Sequence, residues 1–141
     1  MVTTRNLGTE EAFRAIDAIR GELARRGEAG VIAVADAQGE LIALLRLDGA
    51  PLASILIAAN KAWTAARERR PTSDIGQAAR DPHTGFDIGN YGDPRYTGWG
   101  GGVPVKIDGS VVGSVAVSGL PEGADIELAA LGVKVIVGHS Q

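Results

Sequence analysis

The sequence contains no cysteine. Disulfides and thiolate metal sites are thereby excluded, while the compartment is left undecided. Aromatics are scarce, at 4% of 141 residues, so alanine, valine, leucine and isoleucine must build the core. Histidine occurs only at His83 and His139. Long basic runs are also missing, and the net charge is −3, which argues against nucleic acid as a partner. The densest basic group, Arg67, Arg69 and Arg70, falls at the end of a predicted helix, where positive charge suits the helix dipole. No apolar run approaches the roughly 20 residues that span a bilayer. Met1 to Leu7 has no apolar signal-peptide core. The expectation is one domain over residues 1–141, cytoplasmic, with no membrane partner.

What the chain does have is concentrated between Gly98 and Gly119. Val103, Val105 and Ile107 alternate with other residues, Asp108-Gly109 turns, and Val111 to Val117 runs back. Asp-Gly between two such runs signals a hairpin, because a type I′ turn needs positive φ at both central residues. Gly100-Gly101-Gly102 precedes the first strand. Consecutive glycines offer main-chain N–H groups that a ligand can approach closely; the plainer reading is a flexible entry loop. Tyr96 and Trp99 beside them supply the apolar wall that small-molecule pockets use.

Elsewhere, Ala12, Phe13, Ile16, Ile19 and Leu23 recur at helical spacing, with Thr9 as the expected N-cap and Gly27 at the C-terminal cap. Val31 to Ala35 and Leu41 to Leu47 flank an Asp36–Gly39 turn and read as a second hairpin, buried on both faces. Leu52 to Arg69 is predicted helical after Pro51, with an alanine face that lets it lie close to a sheet. Thr72 to Thr97 is polar and irregular, with at most a turn of helix over Gln77–Arg80, and reads as a lid or interface arm. A final apolar helix follows Asp125, and the end from Gly138 is expected to fray. The fold class is α+β: an antiparallel sheet built from two β-hairpins flanked by helices, in the order α-β-β-α-arm-β-β-α.

Several segments now stand in order: Ala33 to Gly39, Leu41 to Ala50, Lys61 to Ala66 with Pro71-Thr72, Gly100 to Val105, and Val112 to Gly119 with Asp125 beyond. Together they resemble the GlcG/HbpS family of heme-binding-like proteins, which includes the C-terminal domain of PduO-type adenosyltransferases. The resemblance runs from Thr9 to Val137. It implies a homo-oligomer with clefts between subunits, and heme as the candidate cofactor, since some members bind it. The chain departs from the secreted members in lacking an export signal. Any heme-ligating histidine would have to be His83 or His139. Asn90 to Trp99 matches no family pattern and points to a ligand specific to a subgroup.

Single residues keep two readings each. Lys61 lies in the alanine face, where a desolvated lysine serves as base or nucleophile and a snorkelling one merely stays solvated. Arg46 and Asp48 bracket the end of a strand; arginine suits carboxylate recognition, or an ion pair that pins strand to helix. Asp36 is a turn former or meets a ligand, and Asp125 either favours the last helix start or meets a ligand. His83 is an axial ligand, a general base or an exposed loop residue. No metal site converges, and no P-loop, nucleophile elbow or dinucleotide fingerprint is present.

Two functional readings follow. In the first, an anionic, partly apolar small molecule is held by Arg46, Lys61, Tyr96, Trp99, Gly100, Gly101, Gly102 and Asp125. In the second, a small isomerase- or lyase-type enzyme uses Lys61, Asp48 and His83 as acid–base groups on a small carboxylate or hydroxy-carbonyl compound. An assembly protein without a ligand is the plainest alternative.

Overall fold

The computed structural model describes residues 1–139; Ser140 and Gln141 lie outside the described residues. Helix α1 (Thr9–Arg26) is followed by strands β1 (Val31–Asp36) and β2 (Leu41–Arg46), and then by helix α2 (Ala53–Glu68). Helix α3 (Thr72–Ala79) and a 3₁₀ turn (Ile88–Tyr91) lead to β3 (Gly102–Ile107), β4 (Ser110–Ser118) and helix α4 (Glu122–His139). The strands form one antiparallel sheet in the order β2-β1-β4-β3, so the two hairpins join through β1 and β4. The turn between β3 and β4 has positive φ at Asp108 (52°) and Gly109 (79°), as the type I′ reading requires.

Strand periodicity sorts the core into two layers. Ile32, Val34, Val115 and Val117 face one way, onto Ile16, Ile19 and Leu23 of α1 and Leu128 of α4. Val31, Ala33, Ala35 and Ala116 face the other way, onto Ala58 and Ala62 of α2. The second interface is almost entirely alanine, so backbone approaches backbone: Ser114 Oγ donates to the Ala62 carbonyl at 2.5 Å. This close docking of α2 carries Lys61 to the open end of the sheet.

The elements depart from expectation in five places. The N-cap of α1 is Gly8, with no side-chain cap bond, and Thr9 is already helical. Phe13 is 56% exposed; Ala15 takes its place on the buried stripe. Strand β2 is an edge strand, largely half-buried where β1 is buried along nearly all its length, because no strand of the described residues pairs with its outer side. The arm opens on a longer helix than expected: Pro71 caps α3, and buried Thr72 ties it to β3 through Gly102. The fray expected from Gly138 falls partly within α4, which continues to His139. Among the described residues no helix is long and apolar enough to cross a membrane.

Gly21 sits mid-helix in α1, and a β-carbon there would meet nothing within 4 Å. Gly21→Ala is therefore expected to raise stability by about 0.5–1 kcal/mol, read as a higher urea midpoint.

Candidate functional site

The end of β4, the turn after it and the first residues of α4 face α2 across a cleft of ≈ 360 Å³. At its floor Lys61 and Asp125 are 2% and 3% exposed. Lys61 Nζ donates to Asp125 Oδ2 at 3.2 Å and to the Val117 carbonyl at 3.0 Å. Asp125 Oδ1 accepts the Leu120 N–H at 3.2 Å, so one carboxylate joins the lysine to the β4–α4 turn. Burial pushes the Asp125 carboxyl above its ordinary value, a rise that Lys61 and the Leu120 N–H oppose and Glu122 reinforces.

The glycine triplet makes this floor possible. Gly101 has φ of 128°, and its carbonyl accepts the Val117 N–H. The Val117 carbonyl is left to the lysine. A β-carbon on Gly101 would stand 2.6 Å from the Val117 oxygen and 2.8 Å from Lys61 Nζ. Gly102 packs on the backbone of Lys61, and its amide donates to Thr72 Oγ1 at 2.9 Å. Of the triplet, only Gly100 lines the cleft.

Ser54 and Ser118 also line the cleft, are buried, and hydrogen-bond through their hydroxyls to no described residue. Ile57, Leu120 and Trp99 complete an apolar side, and Trp99 is 60% exposed at the mouth. The floor thus offers an ammonium, a carboxylate and two uncommitted hydroxyls.

The structure brings together Lys61, Asp125, Gly100 and Trp99. Gly101 and Gly102 stand behind them as packing. Arg46 and Asp48 lie elsewhere: Arg46 is the last residue of β2, the far edge of the sheet, Asp48 is two residues beyond it, both are exposed, and neither lines the cleft. The expected convergence of Arg46 with Lys61 and the glycines does not occur. His83 is exposed in a turn where its backbone N–H donates to Asp81, and His139 is exposed at the end of α4. Sequence reasoning missed Ser54, Ser118 and Glu122 as lining residues; the only available signal was Ser118-Gly119 closing a strand.

Tyr96 belongs to the arm. It stacks on Tyr91 at 4.3 Å between centroids and meets the Trp63 ring edgewise at 4.8 Å. The guanidiniums of Arg95 and Arg67 lie over Trp63 at 4.2 and 4.7 Å. Thr64 Oγ1 donates to the Arg95 carbonyl and accepts the Thr97 N–H, each at 3.1 Å. The arm is therefore fastened to α2, with Tyr96 in its own hollow next to the cleft.

A heme iron takes histidine, cysteine, methionine or tyrosine as axial ligand. The cleft presents none of these, and its one amine is committed to Asp125 and Val117. The cleft of a single chain does not fit an iron-ligated heme.

The sheet order, the helices on its two faces and the cleft at the end of β4 define an α+β protein with a small cleft floored by an ion pair. The chain belongs to the HbpS-like family: the family model described as haem degrading protein HbpS-like matches residues 7–134. Protein GlcG of Escherichia coli K12 is 36% identical over 116 residues, covering 82% of this chain and 84% of GlcG. A double mutant of Streptomyces reticuli HbpS is 30% identical with a TM-score of 0.83, over 96% of this chain and 90% of that one. A PduOC:heme complex has a TM-score of 0.85 at 21% identity, covering 92% of this chain and 94% of that one, a likeness of fold.

Proposed function

We propose that this chain is a small-molecule-binding protein whose cleft holds an anionic, partly apolar ligand, a small hydroxy-carboxylate being the chemistry that suits it best. The observation that carries this reading is the pair of serines, Ser54 and Ser118, largely buried residues whose hydroxyls face the cleft beside the Lys61–Asp125 pair and bond to no described residue. The third ammonium proton of Lys61 and the hydroxyls serve a carboxylate; Asp125 accepts from a ligand hydroxyl. Ile57, Leu120 and Trp99 cover the apolar part. Exposed Leu52 and Leu56 on the first turns of α2, next to Ser54 and Ile57, support a second copy closing this side in a homo-oligomer.

Heme is the ligand named in the PduOC complex, and it stands as the competing guest. Titration calorimetry with lactate, and absorbance titration with hemin, separate the two. Saturable lactate binding that weakens in Ser118→Val is expected, together with a Soret band showing no protein ligation. A sharp Soret shift at defined stoichiometry without lactate binding overturns the assignment in favour of heme.

The enzymatic reading keeps one support: Lys61 lines a small cleft instead of lying in solvent. Its acid–base pair would be Lys61 and Asp125, since Asp48 and His83 are outside the cleft.

A further inference from the structure

Next to the polar cleft lies a second hollow of ≈ 460 Å³ under the arm. Its walls are largely apolar: Ala79 from α3, Phe86, Ile88 and Tyr96 from the arm, and Trp99. Trp99 also lines the Lys61 cleft, so one indole is the partition between the two spaces. Arg80 and Asp87, both exposed, stand at the hollow with opposite charges, and Arg80 reaches the Gly98 carbonyl at 3.4 Å. The hollow is not a gap left by loose packing. Tyr96 is fixed by Trp63 and Tyr91, and the segment after it by Thr64, so the aromatic wall is built before any ligand arrives. A preformed apolar cavity beside convergent polar groups is the usual form of a small-molecule site.

We propose that the two spaces form one bipartite site, selecting hydroxy-carboxylates that carry an aryl group. The head group sits on Lys61, Asp125, Ser54 and Ser118; the ring passes Trp99 and lies in the hollow against Phe86 and Tyr96. This rests on the small-molecule reading of the cleft and adds the class of ligand. Ring contacts with Trp99 and Tyr96 favour an aryl group over a branched alkyl group of similar volume, because aromatic pairs gain beyond burial alone.

The test compares lactate with mandelate and phenyllactate, which replace the methyl group of lactate with phenyl and benzyl. Calorimetry gives each affinity, and indole fluorescence in a Trp63→Phe background, where Trp99 is the remaining tryptophan, reports the partition. At least one aryl acid is expected to bind about tenfold or more tighter than lactate, from the buried ring area. Ala79→Phe, which fills the hollow, should erase that advantage and leave lactate affinity unchanged. Trp99→Ala should shrink it as well, which keeps the test alive if Ala79→Phe folds poorly. Aryl acids binding no tighter than lactate overturn the bipartite site while leaving the small-molecule reading intact. An aryl advantage that survives both substitutions overturns it equally, and no binding by any of the acids sinks both.

Discussion

Asp125→Ala should cost about 3–5 kcal/mol in chemical denaturation at neutral pH, because it strands a buried ammonium. Lys61 Nζ would keep only the Val117 carbonyl, and the Leu120 N–H would lose its acceptor. Asp125→Asn leaves the same ammonium without its counter-charge and should cost only about 1 kcal/mol less than Asp125→Ala, since its amide oxygen can still accept from the lysine or from Leu120. The sign with pH follows from burial. The Asp125 carboxyl is raised in the folded protein, so the native state binds a proton that the unfolded chain has already released. That contribution is complete below the unfolded carboxylate value and fades as pH rises through the folded one. Relative to Asp125→Asn, the wild type should therefore lose stability across this window. A wild type that gains on Asp125→Asn as pH rises would show that the lysine outweighs burial.

The consequence reaches function. If Asp125→Asn costs clearly less than this, stability alone does not explain an acid at position 125. The charged pair is then of use to a ligand, and the folded Asp125→Asn protein should bind a hydroxy-carboxylate more weakly.

What the sequence made legible was local. Gly27 takes positive φ at the end of α1, and Asp108-Gly109 takes it at the hairpin, since each conformation is dictated by one or two residues. The alanine face of α2 was legible as a packing surface, and it docks on Ala33, Ala35 and Ala116. The site was legible in half. Lys61 stood out as a cation among alanines, and it lines the cleft. Its partner did not stand out, because Asp125 is 64 positions away and reaches it only when α4 folds back over β3 and β4. Arg46 looked like a ligand group because a strand-end arginine can serve either role; its strand became the sheet edge farthest from β3, and no local pattern says which strand of a hairpin will be the outer one. Helix α3 was hidden by polar composition and by Gly76, a residue that normally argues against a helix.

Gly76 is the position where the smallest substitution should do the most damage to the arm. Helix α3 crosses the segment before Trp99 backbone to backbone: a β-carbon on Gly76 would lie 1.8 Å from the Gly98 oxygen and 2.8 Å from its carbonyl carbon. The reciprocal contact is also close, with a β-carbon on Gly98 falling 3.0 Å from Gly76 Cα. No rotamer relieves a clash that begins at Cβ, so Gly76→Ala must move either α3 or the Gly98 segment. Moving α3 strains the Thr72–Gly102 bonds that tie it to β3. Moving Gly98 displaces Trp99, the wall of both hollows. The expected cost is about 3 kcal/mol, the upper end for overpacking because the atoms struck are main chain. Calorimetric or urea unfolding reads the loss, and Trp99 fluorescence in a Trp63→Phe background reads the displacement. Gly21→Ala, the same added methyl in open space, supplies the control of opposite sign. A Gly76→Ala protein as stable as wild type, with unchanged Trp99 emission, would mean that the arm yields freely and does not hold the indole in place.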